Sequence, residues 1–528
     1  MYEGLWKIKY HAKFRMTILF IIFLLIGAYF IPISTSERVN QDTQQLLMIT
    51  EGQILYSPMW STSTYLRESA GSLNHTWSSS YFPGVMTRWL GDGKILRTIR
   101  VGVGPGSGGA GGGVQIVQWD GTVVWDFRYN SNEHLSHHDV RSLPNGNVLL
   151  IAWETKTRTE AIAEGRNPNH ISTQGFMPDH VIEVQPTGPT SGDIVWEWHV
   201  WDHLIQNYDS LKANFGIIGD HPELVNINYA IASESDWMHT NSIDYNENFD
   251  QILLSVHNFN EIWVIDHSTT TEEAAGHSGG NSGKGGDLLY RWGNPQAYDR
   301  GTASDQKLFL QHDASWIDDG CPGDGHILIF NNGGSRFYST VDEIVPPVDA
   351  NGDYYLAPVS TFGPTVQIWT YNPQPSFYAS IISGAQRLPS GNTLICNGET
   401  GEIFEVTPTG STIWEFDIGE QVFNVEYISP EDWSCTPQSG QNLKPDDGSL
   451  TGQVPMIAPD EEDSDFEEFI RVENSEKTSD YELIPVSVLT PTNTNEYTPR
   501  PSLIQQFILK LQQWYLLFEK ILKLPLLH

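Results

Sequence analysis

The chain has 528 residues, with 65 acidic against 29 basic side chains and a formal net charge of −36. A surface this acidic cannot neutralise phosphates, which excludes nucleic acid as a partner and suits a solvated extracellular or salt-tolerant setting. Aromatics at 12 %, 47 glycines and 30 prolines favour an all-β protein with many turns. The three cysteines (Cys321, Cys396 and Cys435) cannot all pair within one chain and show no metal-ligand spacing, so they read as small buried residues.

In chain order, residues 1–15 are basic (Lys7, Lys9, Lys13, Arg15) and residues 16–36 carry no charge until the polar exit. That apolar run is long enough to span a bilayer as a helix. The preceding lysines and arginine place residues 1–15 in the cytoplasm and the rest outside. A cleaved signal peptide is the alternative. The length of the run and the lack of an A-x-A-like exit favour an uncleaved membrane anchor.

After the short tether Glu37–Gln45, residues 46–435 are built from one repeated unit, clearest at Ile381–Phe416. It holds four short strands: Gln386–Leu388, Thr393–Asn397, Ile403–Val406 and Ser411–Phe416. The turns between them contain Pro389-Ser390-Gly391-Asn392, Gly398–Gly401 and Pro408-Thr409-Gly410. The last strand recurs at Ser72–Trp77, Gly121–Phe127, Gly192–Trp198, Gly286–Trp292 and Thr365–Tyr371. The first hairpin recurs at Leu143-Pro144-Asn145-Gly146-Asn147. Near-identical four-stranded units predict an all-β, six-bladed β-propeller, for which a two-sheet sandwich gives no reason. Closure is expected by strand exchange, with Gly52–Trp77 supplying three strands of the last blade and Val422–Tyr427 its innermost one. Residues 436–500 form an acidic linker that buries too little apolar surface to fold. Residues 501–524 repeat Leu503, Phe507, Leu511, Trp514 and Phe518 at helical spacing. This predicts an amphipathic helix, a second candidate membrane contact that could equally dock on the propeller or self-associate.

Loops at the mouth of a propeller channel converge on one site, beside the innermost strand of each blade. Aligned on the hairpins, blade 2 brings His137-His138-Asp139, blade 3 Asp236–Asn241 with His239, and blade 4 Gln311-His312-Asp313. Blade 5 has Ser383 at the matching place, six residues before Pro389 as His138 is six before Pro144, and blade 1 has Val85. Three histidines from three blades thus point at one channel. Arg336 follows the second strand of blade 4 and is within reach of the same mouth. His257 and Asn258 read as packing or hydrogen-bonding partners. The run Gly102–Gly113 is not a phosphate loop, since no helix follows and no Lys-Ser/Thr closes it.

The stretches Asp236–Asp266, Leu288–Pro295 (LLYRWGNP), Leu308–Ile317 (LFLQHDASWI), His326–Arg336 (HILIFNNGGSR) and Ser383–Cys396 together resemble the bacterial arylsulfate sulfotransferases. The resemblance spans about Gly52–Tyr427. It implies a six-bladed propeller acting outside the cytoplasm on phenolic or sulfated small molecules, without a nucleotide sulfate donor or any cofactor. By that resemblance His239 and His312 hold the sulfuryl group and Arg336 clamps it. His138, Asn241, Asn332, Ser383 and Gln386 are the expected substrate contacts. The family's sulfate-accepting histidine should come from blade 5, near Ser383–Gln386, where this chain has none. Three routes stay open: His138 as the nucleophile, direct attack by the acceptor phenol, or loss of transfer. The function expected is sulfuryl transfer between phenolic esters and phenols. The alternatives are a catalytically altered ligand- or partner-binding propeller, or a metal site on the His-Asp pairs of blades 2 and 4.

Overall fold

A computed structural model describes residues 50–434 apart from 70, 103, 105–107 and 231–234. The anchor at 16–36, the acidic linker and the terminal helix lie outside the described residues. Among those described, no helix is long and apolar enough to cross a membrane.

Six four-stranded antiparallel sheets make up the fold, each beginning at its innermost strand. Those six strands are Pro83–Gly91, His134–Ser142, Thr240–Asn246, His312–Trp316, Gly384–Arg387 and Val422–Ile428, for blades 1 to 6. The ring closes as expected. Gln53–Pro58 pairs antiparallel with Val422–Ile428, with Tyr56 opposite Val425, and then with Ser63–Glu68. Strands from the two ends of the repeat region therefore share one sheet, which leaves no free edge at the seam. Thr50 adds a side-chain stitch, its Oγ1 donating to Glu405 of blade 5 at 2.6 Å.

The hairpins form for the reason their residues suggest. Gly146 and Gly391 sit at φ +85° and +87°, a region that costs a glycine little. Leu143 and Leu388 each donate their N–H to the asparagine that ends the turn, at 2.9 Å.

The aromatic residues that recur in the outer strands act between blades. Indole N–H groups of Trp77, Trp125, Trp196 and Trp369 donate to Gln118, Ser191, Thr269 and Pro408 of the following blade, at 2.8–3.0 Å. In blade 3, Tyr290 does the same with its hydroxyl to Gly363 at 2.7 Å. Each ring buries apolar area at a blade interface while its polar tip finds a partner in the neighbour.

An insertion between blades 2 and 3, which the repeat pattern did not anticipate, carries a parallel pair, Leu204–Ile205 with Val225–Asn226. Arg166, buried between Phe176 and Trp237, donates to the carbonyls of His170, Ile227, Tyr229 and Ala230. Trp237 in turn donates to the Tyr229 carbonyl at 2.9 Å. The insertion thereby braces the segment that delivers Asp236 and His239.

Candidate active site

The innermost strands are stitched around the axis by side chains that accept a backbone N–H from the next blade. Asp139 accepts from Ile243 at 3.1 Å, Ser242 from Ala314 at 2.9 Å, and Asp313 from Ala385 at 2.8 Å. This ladder fixes the true correspondence between blades. His138, Asn241, His312, Ser383 and Phe423 occupy equivalent places, each just before a ladder position. His239 lies two residues ahead of Asn241, so it is not the backbone counterpart of the other two histidines. A β-bulge in each of these innermost strands in blades 2, 3 and 4 re-aims the chain here. His138, His239 and Ser383 adopt φ of +52°, +54° and +83°, a conformation that costs a non-glycine residue about 1–3 kcal/mol and clusters at functional sites.

Four imidazoles result. Ring centroids are 4.6 Å apart for His138 and His239, 4.9 Å for His239 and His257, and 5.1 Å for His257 and His312. His257, read from the sequence as a packing residue, is therefore the link between blades 3 and 4. It follows the second strand of its blade rather than starting the first, so the hairpin alignment passed over it. Across the axis, the Phe423 ring lies 5.9 Å from His138 and 6.2 Å from His312. With Val85, Met86 and Ile382 it forms an apolar wall opposite the histidines.

Each imidazole is held in one orientation through Nδ1. Asn332 donates its amide to the Ala379 and Ile382 carbonyls, so its Oδ1, 2.9 Å from His312 Nδ1, must accept. Asn258 donates to the Asp236 and Trp237 carbonyls and accepts from His257 Nδ1 at 2.9 Å. Asp236 accepts from His239 Nδ1 at 2.6 Å, while its other oxygen takes Trp153 Nε1 and the His239 backbone N–H at 3.0 Å. In blade 2, His137 Nε2 lies 3.4 Å from Asp179, too far and too poorly aligned for a hydrogen bond, but neither atom has another partner. With its proton turned to that carboxylate, His137 Nδ1 accepts from His138 Nδ1 at 2.8 Å. In the neutral state all four rings thus carry the lone pair on Nε2.

Burial keeps three of these rings, His138, His257 and His312, neutral. It holds His138 and His312 well below the usual imidazole range, reinforced by the neighbouring rings, and pushes His257 down to about 3. Neutral Nε2 atoms are bases and nucleophiles, not resting anion clamps.

The remaining expected residues divide. Asn332 is in place, orienting His312. Asn241 is fully buried, donating to the Gln311 carbonyl at 2.8 Å with its Oδ1 unpartnered. Ser383 is also buried, but its hydroxyl is consumed: it donates to the Ile381 carbonyl at 3.2 Å and accepts from Gly398 N–H at 3.0 Å. Arg336 is held between the Phe309 and Tyr338 rings, 4.9 and 4.6 Å from their centroids, with Nη2 on Thr340 Oγ1 at 3.2 Å. Gln386 is not at this mouth. It accepts from the Tyr427 N–H at 2.8 Å and lines a cavity of about 910 Å³ at the opposite end of the innermost strands. The period-2 alternation of its strand and three further residues of rise carry it there. That cavity is lined by Arg88, Arg141, Asp244, Asp313 and Glu426, among others, and none of the four imidazoles borders it.

The glycine run has a role the sequence did not reveal. The Gly109 carbonyl accepts from His138 N–H at 2.8 Å, and a Cβ on Gly109 would fall 1.9 Å from the His138 ring. The backbone can approach the imidazole this closely only as glycine.

Fold and mouth define a six-bladed propeller with an axial site lined by four imidazoles. The sequence profile of the arylsulfotransferase (ASST) family matches residues 90–434, and the chain belongs to that family. Among curated proteins none matches. Among solved structures, a Bacteroides caccae protein of unknown function is 10 % identical over 72 % of this chain and 99 % of its own, with a TM-score of 0.39. Virginiamycin B lyase from Staphylococcus aureus is 11 % identical over 72 % of this chain and 86 % of its own (TM-score 0.32). Hydrazine synthase of Kuenenia stuttgartiensis is 13 % identical over 56 % and 67 % (TM-score 0.33).

Proposed function

We propose that this sulfotransferase-like propeller moves a sulfuryl group between phenolic esters and phenols at the imidazole-lined mouth. The observation that carries the reading is the set of Nδ1 locks, which leaves basic Nε2 atoms converging from three blades. One Nε2 attacks sulfur, the S–O bond to the donor phenol breaks, and the phenolate leaves with a proton from a neighbouring imidazolium. An acceptor phenol then attacks the N-sulfated ring, giving its proton back to the cluster. Binding a sulfate ester anion favours uptake of that proton by the cluster, in which His138, His257 and His312 are neutral at rest. Arg336 supplies the remaining positive charge and must turn from between Phe309 and Tyr338 to do so. His239 and His312 hold the sulfuryl group, and His138, supported through His137 and Asp179, is the nucleophile in place of a blade 5 histidine.

Release of nitrophenol from 4-nitrophenyl sulfate, with and without a phenol acceptor, tests the reading. Acceptor-dependent release with acid-labile sulfate on the protein supports it, and loss of that label in His138→Ala assigns the nucleophile. Tight ester binding without release favours instead a ligand-binding propeller, the reading to which Ser383 in the blade 5 position points. We propose further that residues 16–36 anchor the propeller outside the cytoplasm. Protease added to intact cells should then cut within 46–435, and protection until lysis would refute the placement.

A further inference from the structure

A second constellation lies away from the axis, where the outer rim of blade 2 meets blade 3. His203 closes the short 3-10 turn Val200–His203 after the outer strand of blade 2. His277 and Asp287 come from the glycine-rich excursion between the third and fourth strands of blade 3. The Nδ1 atoms of His203 and His277 lie 2.9 and 2.7 Å from the same oxygen, Asp287 Oδ1. All three atoms fall within 4.8 Å of one another, the one such grouping of three among the described residues.

The tautomer of His203 gives this cluster its meaning. Its Nε2 lies 2.8 Å from the Ala274 carbonyl, which can only accept, so Nε2 carries the proton. The Nδ1 lone pair of the neutral ring then faces a carboxylate, acceptor against acceptor. Either a second proton or a cation must sit between them. His203 is fully buried and Asp287 nearly so, and a second imidazole converges on the same oxygen from the solvent side, with its side chain 62 % exposed. A backbone carbonyl fixing Nε2–H while Nδ1 points inward is the usual outer support of a metal-bound imidazole. Gly286 permits it: a Cβ there would lie 2.6 Å from His203 Nε2 and 2.0 Å from the Ala274 carbonyl oxygen.

We infer that His203, His277 and Asp287 form a mononuclear site for a zinc-class divalent cation, which fastens the blade 3 excursion to the rim of blade 2. Two imidazoles and one carboxylate suit zinc, with water from the open side as fourth ligand. Bonds of about 2.0–2.1 Å place tetrahedral ligands about 3.3 Å apart, so the cluster must open by a few tenths of an ångström, which the exposed His277 can accommodate.

The test uses the full chain, stripped with a chelator and reloaded with Zn²⁺ or Co²⁺. The native protein should retain about one equivalent more metal than His277→Ala, show tetrahedral cobalt bands, and melt at a higher temperature with zinc. His277→Ala, an exposed change that leaves the fold intact, should bind at least on the order of 100-fold more weakly and lose both signatures. His312→Ala should keep them, which separates this site from the mouth. Equal metal content and equal melting shifts in native and His277→Ala protein would overturn the site. So would cobalt bands that survive His277→Ala and vanish in His312→Ala.

Discussion

The two ends of the channel are made by the same six strands and are chemically opposite. At the mouth, four imidazoles are aimed through Nδ1 locks, and burial keeps His138, His257 and His312 neutral. At the far end, reached by Arg141, Gln386 and Glu426 a short way beyond His138, Ser383 and Phe423 in the same strands, arginines are paired with carboxylates. Arg88 grips both oxygens of Asp139 at 2.7 and 2.9 Å, and Arg141 lies 3.2 Å from Asp244. Burial pushes Asp313 up to about 6 and Glu426 up to about 7, although Arg88 pulls both the other way. Between the two lies a floor of ladder groups (Asp139, Ser242, Asp313) whose carboxylates and hydroxyl are spent on backbone N–H groups. The difference teaches that a deep charged cavity need not be the reactive one. The cavity pairs its arginines with its own carboxylates, whereas the mouth presents imidazoles of which burial keeps His138, His257 and His312 neutral.

The largest effect expected is on the mouth alone. His312→Ala should lower kcat for nitrophenol release by about 10²–10⁴-fold, the range for a positioned acid, base or electrophilic group, without moving the denaturation midpoint much. His239→Ala should do the same. Full activity in both would place the chemistry elsewhere.

Breaking the other end should do the reverse. Arg88→Met strands Asp139 in the floor and should cost about 3–5 kcal/mol of stability by denaturant titration, while the folded fraction keeps its kcat. A large loss of kcat with unchanged stability would mean that the two ends are not separable.

Ser383→Ala sharpens the boundary. It leaves the buried Gly398 N–H without its partner and should cost about 1–3 kcal/mol, with kcat unchanged in the folded fraction. A kinetic defect without destabilisation would restore Ser383 as a substrate contact.

The most gradual effect is a pH slope. His257 titrates at about 3 in the folded protein against about 6.5 unfolded. Below pH 6.5 the unfolded chain therefore binds a proton that the folded one refuses. Stability should fall as pH drops from 6.5 towards 3, by about 1.4 kcal/mol per pH unit for this group. His239 and Asp236 face it, and His312, also held down by burial, adds to the same slope. His257→Asn should flatten the slope between pH 6.5 and 5, and an unchanged slope would show that His257 is protonated in the folded state.

The blade count, the hairpins, the seam expected at Val422–Tyr427 and found at Val422–Ile428, and the meeting of His138, His239 and His312 were legible in the sequence. These rest on local causes: positive φ at Gly146 and Gly391, alternation along short strands, and a repeat that sets register blade by blade. Only the tertiary structure decided what those histidines do. Their partners Asn332, Asn258, Asp236 and Asp179 lie in other strands and loops, some in other blades. His257 enters from the end of a second strand. Ser383 spends its hydroxyl on a turn 15 residues away, Arg336 is taken up by two rings, and Gln386 is carried to the far cavity. A side chain's place along a strand follows from a period of two. Its proton and its partner depend on which neighbours the closed ring brings beside it, and no local pattern encodes that.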